Sequence, residues 1–257
     1  MDILGFGITQ VTTFLLVLAR VGGIFTSAPV FGNVHVTPMA RVAIALSLAF
    51  VFFPMVHNPA GATDFLPFIF AVFKEALVGL AMGFLLAMMF AAIQMAGAYV
   101  DLGVGFGFAQ VVDPMVREHN AVLGQLQNLA ATLLFLAING HHLMIRGLAD
   151  SFAVLPLGEI GFSPQSAGGI LNVFAAMFVA ALKIAAPIVG AVFLTDVGLG
   201  ILARTVPQLN VFVVGFPAKL TVALFTVIVV LPSAFGVMIG LFGGLHRDLI
   251  ALLRYLT

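Results

Sequence analysis

Six apolar stretches, near residues 9–32, 41–56, 66–98, 121–138, 170–200 and 209–245, occupy most of the chain, and between residues 66 and 98 the only charges are the neighbours Lys74 and Glu75. A bilayer core offers no partner to backbone N–H and C=O groups, so an open chain crosses it only as helices. The stretches are uneven. At about 1.5 Å per residue the third would reach about 50 Å against a hydrocarbon core of about 30 Å, while the second barely spans. The expected class is all-α, an integral membrane protein of long kinked helices, with simple up-and-down crossing a poor fit.

Composition agrees: 62% of the 257 residues are hydrophobic and 8% charged, and mean hydropathy is +1.22, where a soluble domain is about a quarter charged. Ten basic residues balance ten acidic ones without a run of either sign, which argues against nucleic acid or an anionic surface as partner. The absence of cysteine removes disulfides, thiolate metal sites and cysteine nucleophiles together. Met1-Asp2 lacks the basic start of a signal peptide and Arg20 interrupts the first apolar stretch, so that stretch is expected to be retained.

Charge gives no orientation. Arg41, Arg117 and Arg204 fall in one set of alternate connections and Arg146, Arg247 and Arg254 in the other, which ties the positive-inside rule. Arg20 and Lys183 lie well inside apolar stretches and Lys219 near the start of another. At a bilayer centre each would cost about 2.5–3.5 kcal/mol, so they are expected to face protein or water. Tryptophan is absent and tyrosine occurs only at 99 and 255, so the 26 phenylalanines are expected to pack. Gly79 with Gly83, and Gly236, Gly240 and Gly244, form small faces at a spacing of four that suit close helix contact, within one subunit or between subunits. Pro187, Pro217 and Pro232 mark kink sites, and residues 139–169, rich in glycine and proline, read as one irregular connection.

Catalytic readings fail one by one. Gly103, Gly105 and Gly107 follow an apolar helix rather than a strand, unlike a dinucleotide fingerprint. His141 and His142 are adjacent, with no acidic residue at zinc-motif spacing, and read as a polar helix end. No nucleophile elbow is present. Lys74, Glu75, Asp196 and Lys219 suit ion pairs that lock helices or subunits together better than a proton relay. Neither an enzyme nor a cofactor is indicated.

The run DLGVGFGFAQVVDP at 101–114 carries a different kind of information. In extended conformation Val104, Phe106 and Phe108 would line one side, with Gly103, Gly105 and Gly107 leaving bare, flexible backbone on the other. Asp101 would mark one hinge and Asp113-Pro114 the other. An ordinary buried helix–helix connection fits the same residues.

That run, with PVFG at 29–32 followed by Pro38 and Arg41, KEALVGLAMGF at 74–84, NGHH at 139–142 and PQLNVFVVGFPAKL at 207–220, resembles the FliR/SctT family of type III secretion export-gate subunits. Each motif alone is weak; the ordered set is specific and spans the chain. The resemblance implies a single subunit in a right-handed helical gate with about five FliP-like and about four FliQ-like subunits. It implies a FliP-like part (1–169) fused to a FliQ-like helical hairpin (170–257), a bacterial inner-membrane site within the flagellar basal body, and FlhB, FlhA and unfolded export substrates as partners. It also makes 101–114 a channel plug, with Val104, Phe106 and Phe108 as plug side chains and Asp101, Gly103, Gly105, Gly107, Asp113 and Pro114 as its hinges. Arg204, Gln208 and Asn210, in the turn at 201–210, are the implied partner contacts at the cytoplasmic entrance near FlhB. The alternatives are a virulence-system subunit and, from another class, a small-molecule secondary transporter using Lys183 and Lys219.

Overall fold

The computed structural model describes residues 3–30, 32, 36–56, 65–105, 121–161, 164–208 and 210–256. Regular structure among them is helical: α1 (Ile3–Ser27), α2 (Pro38–Phe52) with a 3-10 turn (Phe53–Met55), α3 (Phe65–Val104), α4 (Val122–Ala137), α5 (Gly140–Val154), α6 (Pro164–Thr205), α7 (Val211–Gly243) and α8 (Leu245–Arg254). Among the described residues, five helices are long and apolar enough to cross a membrane, and α4 with α5, bent by 66°, makes a sixth candidate. The all-α membrane class is therefore observed.

Local chemistry sets the boundaries. Thr37 caps α2 by accepting the Ala40 N–H at 3.4 Å, with Pro38 in the first turn, where its missing N–H costs nothing. Between α4 and α5 Asn139 adopts φ 58°, a left-handed conformation that asparagine tolerates better than most residues. NGHH is thus a sharp bend followed at once by a helix. The irregular connection expected over 139–169 shrinks accordingly, because residues 140–154 and those from 164 onward are helical.

Two compact units alternate along the chain. The first comprises 1–88, 139–174 and 243–257. Its core joins Val17, Val21 and Ile24 of α1, Met82, Leu85 and Leu86 of α3, and Leu148 of α5. α8 buries Leu245, Leu249, Leu252 and Leu253, the stripe of an amphipathic helix, and Leu249 lies against Gly147 of α5.

Inside this unit Arg20 is fully buried. Its Nε donates to Glu75 at 2.5 Å, Nη1 to the Ser151 carbonyl at 3.0 Å, and both Nη atoms to the Leu155 carbonyl at 3.0 Å. The guanidinium carbon lies 4.6 Å from the centre of the Phe152 ring. Glu75 also accepts the Gly158 N–H at 2.8 Å, and Lys74 donates to the Gly158 carbonyl at 3.4 Å. One ionic cluster therefore ties α1, α3, α5 and the connection after α5 together, satisfying a charge that lipid could not.

The two glycine faces divide. On Gly79 an added Cβ would overlap the Arg20 carbonyl, and on Gly83 the Ser27 hydroxyl, while on Gly23 it would come within 2.7 Å of Ala76 O and Leu80 N. Gly79 and Gly83 thus serve contact within the subunit, allowing α1 and α3 to cross backbone to backbone. Gly236 and Gly240 face open space. Gly79→Val should force α1 away from α3 and lower accumulation of the chain in membranes several-fold; Gly236→Val should leave accumulation of the chain expressed alone unchanged. Immunoblots of membrane fractions check both.

The second unit comprises 89–138 and 175–242. Phe90, Phe135 and Phe242 cluster with ring centres 5.1–5.7 Å apart, in the separation range aromatic pairs favour. Other phenylalanines, among them Phe50, Phe70 and Phe225, are largely exposed, so not all of them pack within the subunit. α6 and α7 pair antiparallel: Asp196 is ion-paired with Lys219, an added Cβ on Gly215 would meet Leu199, and Ile188 and Val192 share a core with Ala223 and Val227.

Candidate functional site

The glycine–phenylalanine run leaves the end of α3 in the second unit. Gly103 and Val104 are still helical, so the extended ribbon expected from residue 103 does not start there. Val104 is 1% exposed and packs with Val100, Leu123, Ile188 and Val192. Its side chain fills a core formed by α3, α4, α6 and α7. α3 stops at Gly105, whose φ is +99° and whose N–H donates to the Asp101 carbonyl at 3.1 Å. Glycine closes a helix this way because a Cβ would strain that backbone.

Asp101 is 4% exposed and does more than its carbonyl does. Its carboxylate accepts the Leu123 N–H at 3.1 and 3.2 Å and the Gly124 N–H at 3.2 Å. These are the second and third residues of α4, the donors a helix N-cap normally satisfies. The residue at the cap position, Ala121, has no side-chain acceptor. Asp101 supplies the missing cap from α3, assisted by the favourable field at a helix N-terminus. Below it, a Cβ on Gly97 would overlap the Gly124 backbone, so α3 and α4 touch main chain to main chain. Asp101 consequently clasps the end of α3 to the start of α4.

Phe106, Gly107, Phe108, Asp113 and Pro114 lie outside the described residues. Of the remaining candidates Gly103 makes only ordinary contact, 3.7 Å from Val192 to an added Cβ. Arg204, Gln208 and Asn210 are exposed and stand together at the turn joining α6 to α7, where Asn210 accepts the Val213 N–H at 3.3 Å. No group of three or more metal-ligating side chains occurs among the described residues. What the arrangement does is positional: it fixes both ends of one connection with four backbone and side-chain hydrogen bonds.

A long-helix, all-α membrane protein with a clasped connection is thus the class the fold defines. The sequence profile of bacterial export proteins, family 1, matches residues 11–245, and the chain belongs to that family. It is 38% identical over 232 residues to the flagellar biosynthetic protein FliR of Bacillus subtilis, covering 89% of this chain and 90% of that protein. It is 31% identical over 216 residues to FliR of Escherichia coli, covering 84% and 82%, and 29% identical over 221 residues to FliR of Aquifex aeolicus, covering 86% and 85%.

Proposed function

We propose that the chain is the FliR-type core subunit of a flagellar type III protein export gate in the bacterial inner membrane. With FliP-like and FliQ-like subunits it forms and seals the path for unfolded flagellar substrates, working without catalysis or cofactor beside FlhB and FlhA. The observation that carries this reading is the 38% identity to a protein named for flagellar biosynthesis over nine tenths of both chains. Relatives of that name favour the flagellar over the virulence system. The transporter reading loses one of its two cations, since Lys219 is paired with Asp196.

Within this reading residues 101–114 are the channel plug. Val104 anchors its first end in the core of the second unit, which leaves Phe106 and Phe108 as the side chains that close an apolar constriction by dewetting. Gly107, Asp113 and Pro114 belong to the part that must move. Arg204, Gln208 and Asn210 offer an exposed polar turn to FlhB. The test is the closed-state conductance of the purified gate in planar bilayers. Phe106→Ala with Phe108→Ala should raise it at least severalfold while the complex still assembles. An unchanged conductance with assembly verified would reduce the segment to a packing connection.

A further inference from the structure

Arg20, Lys74, Lys183 and Lys219 stand within apolar stretches, and the fold satisfies three of the four internally, Lys74 by donating to the Gly158 carbonyl. Arg20 is enclosed with Glu75, and Lys219 is paired with Asp196. The remaining one, Lys183, is exposed on α6, and among the described residues no ion pair or hydrogen bond reaches its ammonium group. It lies about 18 Å in from Leu171, the nearer end of the apolar stretch, deeper than its own stem spans.

The surroundings of Lys183 are specific. Val179, Lys183, Ala186, Pro187, Gly190 and Leu194 recur every third or fourth residue, and all are exposed, so they form one continuous face of α6. Val179 and Leu194 are 47% and 70% exposed, and nothing lies within 4 Å of a Cβ added to Gly190. Pro187, one turn on, has no N–H to give the Lys183 carbonyl. One turn therefore carries both an ammonium group and a carbonyl without its helical donor, in the middle of an otherwise apolar and partly small-residue face.

We infer that this face of α6 is an interface for a helix of another subunit, one that is apolar, approaches closely at Ala186 and Gly190, and presents a carboxylate to Lys183. Lipid tails would leave both polar groups bare. A water-filled path would be lined by further polar side chains, whereas the neighbours of Lys183 on this face are Val179, Ala186 and Pro187. Small residues are what let a second helix come near enough to reach the carbonyl. An opposite charge is what offsets the desolvation of the ammonium group. The inference rests on the reading of the chain as one subunit of a membrane complex and adds to it the face used and the chemistry of the partner.

The experiment uses the tagged full chain expressed in cells with the rest of the apparatus and purified in mild detergent. Lys183→Met and Lys183→Glu should each lower the co-purified subunits at least tenfold, and Lys183→Arg should retain most of them. Gly190→Leu should lower them comparably although the chain itself has room for the side chain, so a folding defect does not explain the loss. A water-soluble carbodiimide should join the Lys183 amine to a carboxylate of a co-purified subunit as an amide, located by mass spectrometry. Wild-type co-purification by both Lys183→Met and Gly190→Leu would overturn the inference, as would a Lys183 crosslink only to lipid or within the chain. A wild-type chain that co-purifies with no other subunit would instead overturn the reading on which it rests.

Discussion

Cells carrying Arg20→Met should retain several-fold less of the chain in the membrane than wild type, and Glu75→Gln an intermediate amount. Arg20 and Glu75 are both fully buried, and removing one partner of such a pair typically costs about 3–5 kcal/mol because the other charge stays buried alone. Folded domains are stable by only about 5–15 kcal/mol. Methionine also orphans the Leu155 carbonyl that the guanidinium serves, while the Ser151 carbonyl keeps the Leu155 N–H, and glutamine keeps an acceptor for the Gly158 N–H. The double variant Arg20→Met with Glu75→Met should recover part of the loss, since no lone charge remains, yet not all of it, since the Leu155 carbonyl and the Gly158 N–H lose their partners. Membrane accumulation and the aggregation temperature of the detergent-solubilised chain measure the series. A single Arg20→Met variant as stable as wild type would remove the cluster from the account of the fold.

The helical class was legible because it follows from hydropathy alone, and the need of Arg20 for protein surroundings was legible from its depth in an apolar stretch. Its partner was not. Glu75 lies 55 residues away, and no periodicity within either helix links them. The bend at Asn139 was masked by the glycine and proline content further on, which made one irregular region out of a turn, a helix and a short connection. The clasp at Asp101 left a faint trace, since α4 begins behind Ala121 without its own capping side chain. A cap supplied from another helix is invisible to local rules.

That clasp makes the second large effect. Asp101→Ala leaves the Leu123 and Gly124 N–H groups without their acceptor in a buried place, a loss of roughly 2–4 kcal/mol for a cap and its buried donors. Hydrogen exchange at these two amides in the assembled complex should then accelerate by about a hundredfold, since about 1.4 kcal/mol corresponds to a factor of ten in opening. Asp101→Asn, which keeps one acceptor oxygen, should fall between. Gly105→Val acts on the same place from the backbone side, because φ +99° is strained for a branched residue. If residues 101–114 seal the path, loosening the anchored end at Asp101 should also raise closed-state conductance, most for Asp101→Ala, with the complex still assembled through surfaces elsewhere. Faster exchange with unchanged conductance would leave Asp101 a cap and take the plug away from this segment. Unchanged exchange would mean that packing around Val104, with Val100, Leu123, Ile188 and Val192, holds α3 to α4 without the carboxylate.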